Sequence, residues 1–274
     1  MFQHLFHPTD FSPASNVAFA HALKLALATG GPLTILHVVG DGMEAPRSSF
    51  PHVRRTLAAW KLVDGDSRPE EVARLGIAIK KLEIEGGDPA KAIAQYLEGR
   101  QMDLVVLSTH QHGWLRLGGA PAVAEPVMRS TQIPCLFIPP ASDGFVRFED
   151  GAVGLRRIIV PVAREPDPQA AVDAAFALTR LLGPDTIDAT VLYVGAPLDA
   201  PRLHLPEAPG WTWAQVSLEG SVETTILEVV TDTDADLLVM TTHGPHGFLG
   251  ALRGSTGSRL VRRCPCPVLA IPRP

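Results

Sequence analysis

Asp103-Leu-Val-Val-Leu-Ser-Thr-His110 and Asp236-Leu-Leu-Val-Met-Thr-Thr-His243 are two versions of one segment, 133 residues apart in the chain. A second pair, Ile133-Pro-Cys-Leu-Phe-Ile-Pro139 and Cys266-Pro-Val-Leu-Ala-Ile-Pro272, keeps the same separation, so everything between the two segments aligns without a gap. Each is a short apolar run of the length of a strand, and a near-continuous apolar strand belongs in a parallel sheet covered on both faces. A repeat of this period makes the chain a duplication of one α/β unit.

Working outward, His4-Leu-Phe-His-Pro8 answers Arg157-Ile-Ile-Val-Pro161, now 153 residues apart. The second copy is therefore 20 residues shorter between its first strand and the shared block. The missing piece is assigned to one helix: 51–76 reads as helical in the first copy, whereas 196–210 in the second is rich in proline and reads as a loop. Between these markers apolar runs alternate with helical patterns, the signature of βαβ units. The first lobe, 1–140, reads as strands at 4–7, 33–38, 77–83, 104–108 and 135–138, with helices at 13–29, 89–98 and 124–130. The second, 156–274, reads as strands near 157–160, 188–194, 212–218, 237–241 and 268–271. Residues 141–155, with the turn pairs Asp143-Gly144 and Asp150-Gly151, form the linker.

Length and composition suit two compact lobes: 274 residues, 46% hydrophobic and 19% charged. A net charge of -5 without a basic stripe argues against nucleic acid as a partner. The absence of a long apolar run argues against a membrane span, and three cysteines without a disulfide framework fit a cytoplasmic protein. Cys264 and Cys266 read as small buried residues. His4, His7, His110, His112, His243 and His246 are weighed as metal ligands, but no carboxylate or cysteine is spaced to complete a set, and polar loop histidines are the simpler reading. Trp211 and Trp213, two apart on a strand, cover one sheet face.

The ordered set Pro8-Thr-Asp-Phe-Ser-Pro-Ala-Ser15, Ala235-Asp-Leu-Leu-Val-Met-Thr-Thr-His-Gly244 and Cys266-Pro-Val-Leu-Ala-Ile271 resembles the universal stress protein family, in two tandem copies. The resemblance implies two doubly wound, Rossmann-like sheets of five parallel strands, pairing through their last strands into an internal pseudo-dimer. Further homodimerisation through lobe surfaces is compatible with it. One branch of the family binds ATP through a loop patterned glycine, two residues, glycine, nine residues, glycine, then serine or threonine. In the second lobe these positions are Thr241, Gly244, Gly254 and Ser255; in the first they are Ser108, Gln111, Pro121 and Ala122.

A phosphate needs closely approaching backbone N–H groups and a helix N-terminus. Gly244, Gly254 and Ser255 suit it, Ser255 or Thr256 offers a cap or a hydroxyl, and Arg253 and Arg259 offer charge. Pro121 has no N–H and Ala122 no hydroxyl, so the first lobe has lost its phosphate loop. The family's adenosine-binding aspartate matches Asp10, whereas the second lobe has Ala163; Asp10 is equally suited to capping the next helix.

The resemblance thus implies a site for ATP or another adenine nucleotide, with or without Mg, made by Val162, Val194, Met240, Thr241, Gly244, Gly254, Ser255 and Thr256. Thr9, Asp10 and Val38 form a degenerate counterpart. No catalytic residue is assigned, because no Walker lysine or general base stands beside the loop. The expected function is a non-catalytic, nucleotide-binding stress protein. The alternatives are a scaffold with vestigial pockets and, less supported, a slow ATPase.

Overall fold

The computed structural model describes residues 1–40, 42, 44, 46–109, 123, 126–128, 131–243 and 256–273. The first lobe carries β1 (Leu5–Pro8), α1 (Pro13–Thr29), β2 (Pro32–Val39), α2 (Val53–Ala59), α3 (Pro69–Ala73), β3 (Ala78–Glu85), α4 (Pro89–Leu97), β4 (Leu104–Ser108) and β5 (Cys135–Ile138). The second carries β6 (Arg157–Val162), α5 (Gln169–Leu182), β7 (Ile187–Val194), β8 (Trp211–Leu218), α6 (Val222–Asp232), β9 (Leu237–His243), α7 (Thr256–Arg263) and β10 (Val268–Arg273). Of the helix expected at 124–130, residues 126–128 are helical and the rest lie outside the described residues.

The strands form one ten-stranded sheet in the order β3-β2-β1-β4-β5-β10-β9-β6-β7-β8. Within each half all pairings are parallel, and the halves meet where β5 and β10 run antiparallel, Leu136 opposite Leu269. The pairing of last strands therefore occurs within the chain. Cys135–Ile138 and Val268–Ile271 in the two seam strands are buried on both faces, as their unbroken apolar sequences require. Helices α1 and α5 cover one face of the sheet; α4, α6 and α7 cover the other.

The repeat is visible in local devices. Asp103 and Asp236 each accept two backbone N–H bonds from the start of their lobe's first strand, from Gln3 and His4 at 2.9 and 2.8 Å and from Arg156 and Arg157 at 2.8 and 2.7 Å. Helices α1 and α5 both end on a glycine in the left-handed region, Gly30 (φ 62) and Gly183 (φ 67), where a side chain would be strained.

One departure from the sequence reading matters. Residues 51–76 do not form one helix: α2 stops at Ala59, Lys61 has φ 59, and α3 begins only at Pro69. The Asp64-Gly65-Asp66 run favours a turn, and Pro69 biases Arg68 away from helical backbone, which is extended there (ψ 161). In the second lobe, 196–210 carries only a short 3-10 turn at Pro197–Asp199. Trp213 Nε1 donates to the Pro206 carbonyl (2.9 Å), and Gln169 exchanges two bonds with the His204 backbone, so side chains hold this loop where a helix lies in the first lobe. Trp211 lies between Trp213 and Phe176, with ring centroids 5.0 and 5.1 Å away.

The segment between the lobes is packed. Phe145, Val146 and Leu155 are buried, and Trp60 Nε1 donates to the Phe148 carbonyl at 2.9 Å. His21, wholly buried on α1, has Nδ1 2.8 Å from the Val17 carbonyl, while Nε2 accepts from the N–H groups of Phe145 and Val146 at 3.0 and 3.1 Å. A carbonyl can only accept, so the proton sits on Nδ1 and the ring is neutral. Burial pushes its pKa down to about 4. The three cysteines are buried thiols; Cys264 and Cys266 lie 3.5 Å apart, sulfur to sulfur, and burial pushes the Cys135 thiol up to about 12.

Candidate functional site

In an open parallel sheet, ligands enter the crevice beyond the carboxyl ends of the strands, where strand order reverses. Here that point lies between β1 and β4 in the first lobe and between β6 and β9 in the second. Both pairs are joined over only two residue positions, Leu5–Phe6 with Leu104–Val105 and Ile158–Ile159 with Leu237–Leu238, and the strands are unpaired with each other beyond them.

At the first-lobe crevice the polar groups around Thr9 serve one another, while the Thr109 hydroxyl is buried without a partner. The Thr9 hydroxyl accepts from the Phe11 N–H (3.1 Å) and from Ser15 Oγ (2.9 Å), and its carbonyl faces His37 Nδ1 at 2.7 Å. His7 is wholly buried, with Nδ1 2.8 Å from the Val106 carbonyl and Nε2 3.5 Å from Ser15 Oγ. Burial lowers its pKa to about 4, outweighing the Val106 bond and the Asp10 charge, which raise it. His7 is thus a core residue and not the polar histidine expected from sequence; His4, half-exposed beside Asp103, fits that description. Phe11, with φ 63, stacks on His37 with 4.0 Å between ring centroids. The cap of α1 is Ser12, which accepts from Ser15 N; Asp10 instead accepts from Ser12 N at 3.0 Å, forming the turn that precedes the cap. Val38 is half-buried on the opposite face of the sheet.

The second-lobe crevice has a different inventory. Val160 and Val162 stand where the first lobe has His7 and Thr9, and Ala163 where it has Asp10. Val162 packs on the α5 face, and the Thr241 hydroxyl turns the same way, donating to the Pro166 carbonyl at 3.3 Å. Val194 and Met240 pack on the opposite face, with α7. These four residues therefore share only the carboxyl edge of the sheet. The Thr242 hydroxyl is buried without a partner, and so is Arg273 Nε, whose residue stands opposite His243 in the β9–β10 ladder. Gly257, in the first turn of α7, lies against Thr242: a Cβ there would be 3.5 Å from its methyl group. Thr242 escaped the sequence reading, although its repeat mate Thr109 also carries a buried hydroxyl without a partner.

Gly244, Gly254, Ser255 and Arg253 of the expected phosphate loop lie outside the described residues, as do Gln111, Pro121 and Ala122. Thr256 opens α7. The Arg259 guanidinium pairs with Glu223 on α6, as does that of Arg263 (2.7 Å), and it reaches Thr256 Oγ1 at 3.4 Å. Desolvation pushes the Glu223 carboxyl up, but the two guanidinium bonds outweigh it and the net shift is downward. Among the described residues no group of three or more His, Cys, Asp or Glu side chains could hold a metal ion, and no helix is long and apolar enough to cross a membrane.

Fold and crevice define a class: a duplicated, doubly wound α/β protein with a switch-point cleft in each lobe. The family model described as the universal stress protein family matches residues 1–139 and 207–272, and the chain belongs to that family. A search of curated proteins gives no match. Among solved structures it is similar to a universal stress protein from Archaeoglobus fulgidus DSM 4304, at 15% identity and TM-score 0.66 over 100% of both chains. A functionally unknown protein from Pseudomonas aeruginosa PAO1 aligns at 13% identity and TM-score 0.67, over 99% of this chain and 92% of the other. At these identities the likeness concerns the fold.

Proposed function

We propose that this protein is a non-catalytic, nucleotide-binding stress protein of the cytoplasm, and that an adenine nucleotide, ATP with or without Mg, binds the crevice of the second lobe, 156–274. The observation that carries the reading is the buried, unpartnered Thr242 hydroxyl against the first turn of α7. A buried hydroxyl without a partner costs about 1–3 kcal/mol, and a phosphate oxygen at the helix N-terminus would satisfy it. Gly244, Gly254 and Ser255 supply the glycine spacing of a phosphate loop, with Thr256 at the helix start and Val162, Val194, Met240 and Thr241 around the carboxyl edge. In the first lobe the Thr9 hydroxyl already accepts from Phe11 N–H and Ser15 Oγ, so Thr9, Asp10 and Val38 are read as a degenerate site.

A second reading, a scaffold with vestigial pockets, is favoured by Ala163 and by the commitment of Arg259 to Glu223. Thermal unfolding with and without excess Mg-ATP decides between them, comparing the wild type with Gly254→Pro plus Ser255→Ala. A ligand at ~100 times its Kd adds about 2.7 kcal/mol. A stabilisation that vanishes in the variant supports nucleotide binding in the second lobe; no shift in the wild type moves the assignment to the scaffold.

A further inference from the structure

The segment that only the first lobe possesses builds a cleft at the β3 edge of the sheet. It has a volume of about 500 Å³ and lies between α2, the 64–66 turn and the edge strand β3. Four basic side chains line it, His52, Arg54, Arg55 and Lys81, against one carboxylate, Asp66. Like charges converging on one concavity repel, so their arrangement needs a reason.

Two of the cations are held by neutral groups. Arg54 donates through one nitrogen to the Ser67 carbonyl at 2.9 Å, and Lys81 donates to the Pro51 carbonyl at 2.8 Å while its ammonium lies 6.0 Å from the centre of the Phe50 ring. Among the described residues, Arg54, Arg55 and Lys81 take part in no ion pair. Desolvation, and then the nearby Arg54 charge, lower the pKa of Lys81. Each guanidinium has five N–H donors in a planar fork that matches phosphate, and one carbonyl bond leaves Arg54 most of its set. Beside the cleft, the Ser67 hydroxyl is buried without a partner. Val53 and Ala58 give the wall an apolar stretch, and the volume falls within the range of small-molecule sites.

We propose that this cleft binds a small phosphorylated molecule, its phosphate held between Arg54, Arg55 and Lys81. The site is independent of the nucleotide crevice: it shares no residue with it and has no counterpart in the second lobe, where the proline-rich loop 196–210 replaces the segment. Inorganic pyrophosphate is the probe, titrated calorimetrically into the full-length protein at low salt. Arg55→Gln removes an exposed charge without touching a described internal bond, and should weaken binding about tenfold at an unchanged thermal midpoint. Gly254→Pro plus Ser255→Ala should leave the affinity unaltered. Absence of binding by the wild type, an unchanged Kd in Arg55→Gln, or loss of binding in the loop variant would overturn the assignment.

Discussion

The two switch points come from one duplicated unit, yet apart from the shared, unpartnered Thr109 and Thr242 hydroxyls they have spent their polar residues differently. In the first lobe Thr9, Ser15 and His7 form a chain of contacts that ends on the Val106 carbonyl, and Phe11 stacks on His37. In the second lobe Val160 and Val162 occupy the corresponding places, and the unpartnered polar atoms, Thr242 Oγ1 and Arg273 Nε, gather at the ends of β9 and β10. A polar group saturated by its own lobe adds little to a ligand, whereas a buried one without a partner gains by meeting it. Conservation of the fold is thus compatible with divergence of the sites, because the strand ends need only a continuous backbone, whereas a site needs free donors.

The largest effect expected from this contrast is on acid stability. His7 and His21 are neutral and buried, while their repeat mates are Val160 and Ala174. Burial lowers both folded pKa values to about 4, below the ordinary histidine value of 6.5, so between those limits the unfolded chain binds more protons. Stability is complete above pH 6.5, declines as the pH falls toward 4, and loses nothing more to these groups below that. The loss is roughly 3 kcal/mol for each histidine. Urea unfolding at stepped pH should show it, and the double variant His7→Val plus His21→Ala should flatten the profile over this window. A flat profile in the wild type would mean that neither ring is sequestered.

The same histidines mark the limit of what the sequence discloses. The strands were legible to within two residues or so, because an unbroken apolar run such as Leu104–Leu107 has only one stable place, inside a doubly covered sheet. The pairing of β5 with β10 was legible only through family resemblance, since nothing in Cys135–Ile138 specifies its antiparallel neighbour. His7 reads as an ordinary polar residue and His21 carries no signal at all, because the groups that satisfy them are distant in sequence: Val106 for one, Phe145 and Val146 for the other. The division of 51–76 into α2 and α3 was signalled locally by Asp64-Gly65 and Pro69, but helical patterning on either side outweighed those signals in the reading.

The candidate site is legible in the sequence only as a pattern. Glycine spacing pointed to the second lobe, yet neither the pairing of Arg259 with Glu223 nor the isolation of Thr242 can be read from it. Ala163 is the feature both kinds of observation share, and it gives the next prediction in size. Placing a carboxylate there by Ala163→Asp restores the first lobe's Asp10 in the second. It should tighten Mg-ATP binding by roughly ten- to a hundredfold, the equivalent of about 1.5–3 kcal/mol. Asp10→Ala should leave that affinity unchanged. Equal responses from both variants would mean that the lobes are not divided in the way proposed.

The smallest effect discriminates most finely, because it concerns two atoms in equivalent positions. Thr109 and Thr242 each bury a hydroxyl without a partner, and replacing either by valine removes that liability while keeping nearly the same shape. In the absence of ligand both substitutions should be neutral or stabilising by up to about 1 kcal/mol, measured by chemical unfolding. With Mg-ATP present the pair should separate: Thr242→Val weakens binding several-fold, and Thr109→Val leaves it untouched. If Thr242→Val stabilised the free protein and left the nucleotide affinity unchanged, the hydroxyl would be an unsatisfied remnant of the repeat in both lobes, and the asymmetry between the crevices would rest on the glycine loop alone.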